Sequence, residues 1–169
     1  MPTRLLSSIF LLATIFFAQA STPPPARVRV TFFLSTECPI SQQYLPQIRK
    51  LHREFSGRGV DFRAYFPLRT DNARMLTRFR RDYPLPFPTL PDTEHRQVRW
   101  FRATIIPEVV VQDQTGTVVY QGAIDDWYVD LGKHRPEPTQ PYLRNALMAL
   151  LDGRPVAIPK TEAVGCFIE

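Results

Sequence analysis

Short apolar runs alternate with helical periodicities along almost the whole chain, and this order limits the fold more than any other feature. "RVRVTFFL", residues 27–34, passes from alternating valines to a continuous apolar stretch, the pattern of a strand covered on both faces. From Pro39 onward Tyr44, Ile48, Leu51 and Phe55 recur at helical spacing, until Gly57 and Gly59 stop the helix. "GVDFRAYFP" reads as a second strand. "TDNARMLTRFRRDY" reads as a helix capped by Thr70 and Asp71, with Met75, Leu76 and Phe79 on one face. "PLPFPTLPD" has four prolines in nine residues, so it is extended, with room for one short edge strand. "TEHRQVRWFRA" is a short helix ending near Ala103. "PEVVVQD" and "TVVYQGAI" flank "QTG" as a hairpin with Gly116 at the turn. "DDWYVDLGKHRPEP" reads as a long polar loop. "TQPYLRNALMALLDG" is a final helix with Thr139 and Gln140 as caps and Pro141 in its first turn. Leu143, Leu147 and Leu150 share one face, and Gly153 closes it. The tail "RPVAIPKTEAVGCFIE" shows no element.

Strand, helix, strand, helix, helix, strand, strand, helix is therefore the expected order. Alternation in the first half calls for parallel strands joined by crossover helices, and the hairpin adds antiparallel strands to the same sheet. The expected fold class is α/β, a central mixed sheet flanked by helices, with no repeat and no second domain.

Residues 1–20, "MPTRLLSSIFLLATIFFAQA", have the anatomy of a secretory signal peptide: Arg4, an apolar core from Leu5 to Ala18, and the small-x-small site Ala18-Gln19-Ala20. The core is shorter than the ~20 residues a spanning helix needs, so no stable membrane span is expected after cleavage. Residues 21–26, "STPPPA", are a Pro-rich leader, 27–152 the folded domain, and 153–169 a tail carrying Cys166. The expected location is the periplasm. Losing Arg4 lowers the net charge from +5 to +4, and the basic residues are spread along the chain, nearly all arginine. Nucleic-acid binding would call for a stripe or block of such charge, so it is not expected.

Two cysteines remain, Cys38 and Cys166, too few to replace a core and enough for thiol chemistry. Export places them in an oxidising compartment, where paired thiols persist as disulfides. Cys38 sits where a buried strand feeds a helix, with Pro39 in the first turn and Ser41 three positions on. The unsatisfied N–H groups of that turn and the positive end of the helix dipole favour thiolate, the reactive form, while the neighbouring Glu37 opposes it. The alternative is a small buried residue that does no more than begin the helix.

Cys38-Pro39-Ile40-Ser41 resembles the Cys-x-x-Cys helix start of the thioredoxin-like superfamily, with Ser41 in the second position. Pro46, eight residues after Cys38, matches the proline that kinks that first helix. "TIIPEVVVQDQTG" looks like the family's cis-proline segment, which implies a cis Pro107 beside Cys38, its backbone pairing with an extended substrate. Within the superfamily the chain is most similar to exported redoxins of the alkyl hydroperoxide reductase and thiol-specific antioxidant (AhpC/TSA) family. Cys38 to Ser41, Ile106 to Glu108, Gly122 to Asp126 and Gly165-Cys166 carry that likeness.

The resemblance implies a thioredoxin-like fold and a thiol oxidoreductase acting on a disulfide-bearing protein or a peroxide, recharged by an external thiol reductant, with no cofactor and no metal. Cys38 would be the nucleophile. Since Ser41 cannot form a disulfide, Cys166 would be the resolving thiol, titrating as an ordinary thiol on a mobile tail, and Ser35, Pro39, Ser41 and Pro107 would support the site. Peroxiredoxins carry Ser or Thr where this chain has Ser35, but a proline where it has Thr31 and an activating arginine for which Arg102 is the nearest candidate.

Two rivals stand beside this reading. One is a copper-handling module using Cys38, Cys166 and His95, although a Cys-x-x-x-Cys is missing. The other is a binding domain with an inert Cys38–Cys166 bridge, which would restrict the unfolded chain by about 4–5 kcal/mol. His95 is otherwise read as a surface helix histidine, His52 and His134 as bland, and Trp100 and Trp127 as packing residues. Asp125 and Asp126 would orient a loop or bind a cation, not share one, since neighbours in a strand point to opposite faces.

Overall fold

The computed structural model describes residues 28–169; the expected signal peptide and Pro-rich leader lie outside the described residues. The chain runs β1 (Val28–Phe33), α1 (Pro39–Phe55), β2 (Val60–Phe66), α2 (Ala73–Asp82), β3 (Thr89–Pro91), α3 (Arg96–Phe101), β4 (Ile105–Ile106), β5 (Glu108–Gln112), β6 (Val118–Gly122), β7 (Tyr128–Asp130), β8 (Lys133–His134), α4 (Tyr142–Leu151) and β9 (Cys166–Phe167). The main sheet has the order β3-β2-β1-β5-β6. β1, β2 and β3 are parallel, while β5 runs antiparallel to both β1 and β6. This is the mixed sheet expected from the element order, and the Pro-rich segment supplies its short edge strand.

β1 reads as continuously apolar because both faces of the sheet are covered. Val28, Val30 and Phe32 join one cluster with Tyr44, Leu45, Ile48, Leu51 and Phe55 of α1 and Leu143 and Leu147 of α4. Phe33, one residue on, points to the other face, against Phe101, Ala103 and Val110. Fully burying a side chain of this size contributes about 1.5–3 kcal/mol, so the end of β1 that delivers Cys38 is held from two sides.

Three local expectations need correction. α2 is capped by Asn72, whose side chain accepts from the N–H groups of Arg74 and Met75, not by Thr70 and Asp71. Thr139 and Gln140 do not cap α4; Pro141 holds that position, and their N–H groups instead donate to Asp126 Oδ1 at 2.6 and 2.8 Å. The polar stretch after Asp126 is a small hairpin, β7 against β8, with Gly132 at φ 73°.

The tail also differs from the expectation. Gln121 N–H donates to Pro159 O (3.0 Å) and Thr161 N–H to Gln121 O (3.1 Å), which binds the tail to the edge of β6. A Cβ on Gly122 would stand 2.2 Å from the Thr161 carbonyl oxygen, and its φ is 142°, so only glycine fits this crossing. Beyond Thr161 the chain reaches β4, where β9 pairs antiparallel with Ile105 opposite Phe167 and Ile106 opposite Cys166.

Candidate active site

Cys38 is the N-cap residue of α1, with Pro39 opening the first turn. Its side chain makes no cap hydrogen bond, so the sulfur is free to face elsewhere. Its thiol lies 3.5 Å from the Ile106 carbonyl oxygen, an S–H donor contact, and 2.7 Å from Cys166 Sγ. Both cysteines are free thiols. The Ile106–Pro107 bond is cis, as the motif implied, and it lies beside Cys38 through that same carbonyl. Two cysteines 128 positions apart in sequence thus meet at one point.

The loop that delivers Cys38 is fixed by a buried carboxylate that sequence reasoning had placed in a cap. Asp71 Oδ1 accepts from Ser35 Oγ (3.2 Å), Thr36 N (2.8 Å) and Thr36 Oγ1 (2.7 Å), and Oδ2 accepts from Leu68 N (3.3 Å). Burial pushes the Asp71 carboxyl above the usual range, against the pull of these donors. Ser35 Oγ in turn accepts from Glu37 N at 3.1 Å, and Ser41 Oγ accepts from Ser35 N at 3.2 Å. Ser35 and Ser41 therefore tie the loop to the helix. The Ser35 hydroxyl proton is committed to Asp71, so it is not aimed at an oxygen bound at Cys38.

Arg102 is exposed at the C-cap of α3, with φ 54°, and makes no hydrogen bond to Cys38. Thr31 is buried in β1 opposite Val110. Neither supplies the activating group that peroxide chemistry asks of those positions.

An aromatic cluster packs against α1. Tyr44 donates to Asp125 Oδ1 at 2.8 Å, Trp127 N donates to the same oxygen at 3.0 Å, and Trp127 meets the Tyr44 ring edge-on at 5.4 Å. Burial pushes both Tyr44 and Asp125 up. Asp125 thereby aims β7, whose Tyr128 lies close enough to Cys38 that burial, aided by a negative charge on that sulfur, pushes the phenol up. Asp126 holds Thr139, Gln140 and Arg135, so both aspartates orient loops, one of the two roles their sequence allowed.

Cys166 does not titrate as an ordinary thiol. Burial, the hydrogen bond to Cys38 and the negative charge of the Cys38 thiolate push it up to about 12. At pH 8 its thiolate fraction falls roughly a thousandfold below that of a free cysteine of pKa ~8.5. Iodoacetamide labelling of the native reduced protein at pH 8 is therefore expected to modify Cys166 slowly, with a rate still climbing above pH 10. Labelling that levels off near pH 9 would contradict this.

The remaining candidates stand apart. His95 lies at the mouth of α3 at φ 55°, with Nε2 2.8 Å from Pro67 O. No group of three His, Cys, Asp or Glu side chains among the described residues is placed to hold a metal, which leaves the Cys38, Cys166 and His95 copper set unassembled. His52 packs on Phe62 and Phe87, and burial lowers its pKa. His134 is exposed and rests against Trp127. Trp100 is 75% exposed, not a packing residue. Asp71, Gly165 and Tyr128 are the members sequence reasoning missed. The "GC" pair carried the one available signal for Gly165: a Cβ there would stand 1.9 Å from Ile106 O.

A thiol at a helix mouth, faced by a cis-proline segment on a mixed sheet, defines a thioredoxin-like protein. The AhpC/TSA family matches residues 20–121, and the chain belongs to that family. Its structure is similar to that of an uncharacterized conserved protein from Geobacillus kaustophilus, at 24% identity and TM-score 0.75, over 85% of this chain and 77% of that one. It is also similar to a hypothetical protein from Sinorhizobium meliloti 1021, at 23% identity and TM-score 0.74, over 85% and 79%. A third similar structure is a secreted Mycobacterium tuberculosis disulfide oxidoreductase homologous to E. coli DsbE, at 16% identity and TM-score 0.50, over 76% and 83%. No curated protein sequence matches the chain. Among the described residues no helix is long and apolar enough to cross a membrane.

Proposed function

We propose that the protein is an exported, periplasmic thiol-disulfide oxidoreductase in which Cys38 is the nucleophile and Cys166 the resolving thiol. The observation that carries this reading is the 2.7 Å separation of the two sulfurs at the N-terminus of α1. The Cys38 thiolate attacks one sulfur of a substrate disulfide, and the other sulfur leaves as a thiolate. Cys166 then gives up its proton and attacks the Cys38 sulfur of the mixed disulfide. The substrate cysteine leaves with that proton, and a Cys38–Cys166 disulfide remains for an external dithiol to reduce. Keeping Cys166 protonated until that moment assigns the first attack to Cys38.

Disulfides fit better than peroxides as substrate, because the Ser35 hydroxyl is engaged by Asp71 and, among the described residues, no arginine is hydrogen-bonded to Cys38. The signal peptide legible in residues 1–20 supports export, and the secreted oxidoreductase of similar fold agrees with it. The test is to incubate the reduced protein with glutathione disulfide and map its cysteines by non-reducing peptide mass spectrometry. The peptides of Cys38 and Cys166 should become joined within minutes and separate again on adding dithiothreitol. Persistent free thiols, or a bridge that dithiothreitol leaves intact, would refute the reading.

A further inference from the structure

Among the described residues two arginines are half-buried, Arg49 and Arg63. Arg63 rests on Asp61 at 2.5 Å. Arg49 has no hydrogen bond or ion pair to any described residue, and neither has Arg53, one turn further along α1. The exposed arginines Arg29, Arg96, Arg135 and Arg144, by contrast, each meet a carboxylate. Glu54 is the one acid in α1, and Arg144 holds it at 2.7 Å from the other flank. A guanidinium partly withdrawn from water, with five donors and no acceptor beside it, calls for an anion.

Arg49, His52, Arg53 and Ser56 follow one another at spacings of three and four, so they form one stripe along α1. Pro84 and Pro86 face that stripe with Leu85 between them, and the two walls bound an open groove of about 730 Å³. Leu85 packs on the core, and the prolines stiffen the backbone on either side of it. His52 lies against the rings of Phe87 and Phe62, at 5.5 and 5.2 Å. The groove therefore pairs an apolar wall with two cations and contains no acid. Like charges four residues apart on a helix repel, and nothing on the facing wall offsets them. At 1.5 Å per residue the stripe is about 10 Å long, room for one small molecule of one or two rings and too short for a partner helix.

We propose that this groove is a binding site for a small organic anion, a carboxylate carried on a ring-sized apolar body. Arg49 takes the carboxylate through paired N–H donors, the geometry to which a guanidinium is suited. Arg53 adds the second charge, and the apolar body lies between Leu85 and the His52 ring. A few placed polar groups on a mostly apolar wall are the usual make-up of a small-molecule site. Binding relieves two unfavourable terms together: Arg49 gains acceptors, and the repulsion between the two arginines falls. Arg49 stands eleven residues after Cys38, about 16 Å along the helix. The site is thus separate from the thiol pair, and it holds whether or not the pair exchanges disulfides.

Titration with 2-naphthoate, followed by the amide shifts of the protein in NMR spectra, tests the site. The amides of residues 49–56, Leu85 and Phe87 should move saturably, with a Kd below about 1 mM. The neutral isostere 2-naphthamide should bind about tenfold more weakly or worse, because it lacks the charge that Arg49 answers. Inorganic phosphate, which has the charge and no apolar body, should also bind more weakly than 2-naphthoate. Arg49→Gln and Arg53→Gln should each weaken 2-naphthoate by about fivefold or more. Lys50→Gln removes the same charge from an exposed position outside the groove and should leave the Kd within about twofold. Matching amide spectra away from the groove would check that the variants keep the fold. Equal binding of the acid and its amide, or of phosphate and 2-naphthoate, overturns the proposal. So does an equal loss in Lys50→Gln and Arg49→Gln, or the lack of a saturable shift at these amides.

Discussion

Cys38→Ser is expected to abolish disulfide exchange, and Cys166→Ser to stop it after one step. The two losses differ in kind because the two sulfurs differ in setting. Cys38 sits at the mouth of α1, as the N-cap residue of that helix. Burial and the adjoining Cys38 push Cys166 up to about 12. The serine at 38 leaves no nucleophile, so a reduced substrate disulfide should be undetectable. The serine at 166 leaves the first attack intact, so one equivalent of substrate should remain covalently attached, visible as an added mass that dithiothreitol removes. Continued turnover by Cys38→Ser, or no adduct on Cys166→Ser, would count against the assignment.

Asp71→Ala is expected to be the most damaging substitution outside the cysteines. It strips the acceptor from the Thr36 N–H and hydroxyl, the Ser35 hydroxyl and the Leu68 N–H, all within the buried base of the site. An unsatisfied buried donor costs about 1–3 kcal/mol, and with water relieving some of them the loss should be about 3 kcal/mol. For a domain of this size that lowers Tm by roughly 10 °C. The same change frees the loop 35–37 that aims Cys38, so exchange activity should fall more than tenfold even well below the new Tm. Calorimetry and exchange rates on the same sample check both. A Tm within 2 °C of wild type would mean that Asp71 does not hold the loop.

The core of this arrangement was legible because local pattern decides it. Tyr44, Ile48, Leu51 and Phe55 set the face of α1, and Pro39 sets where that helix can begin, which together place Cys38. The strand alternation and the hairpin at Gly116 likewise follow from neighbours in sequence. What escaped was decided at long range. β9 is two residues long and exists because β4 offers it an edge about sixty positions away, so no periodicity could announce it. Asp71 and Asn72 are equally good caps by composition; the space beneath Ser35 and Thr36 claims one and leaves the other to α2. The hairpin β7–β8 carries exposed Val129 and Leu131 and is held by Trp127 and Tyr128 packing on Tyr44, contacts that a polar stretch gives no reason to expect. Trp100 reads as core by residue type, yet α3 turns Phe101 inward and leaves it outside.

The reduction potential of the Cys38–Cys166 pair tests the central claim most directly. Equilibrating the protein in glutathione buffers of graded ratio, quenching with acid and counting the joined peptides gives it in one series. A pair that works in exchange should lie between roughly −120 and −270 mV, the span of dithiol oxidoreductases. A value below about −300 mV, or no bridge between these two cysteines in any buffer, would mark a structural bond or none, and the account of Cys38 and Cys166 as a redox pair would be wrong.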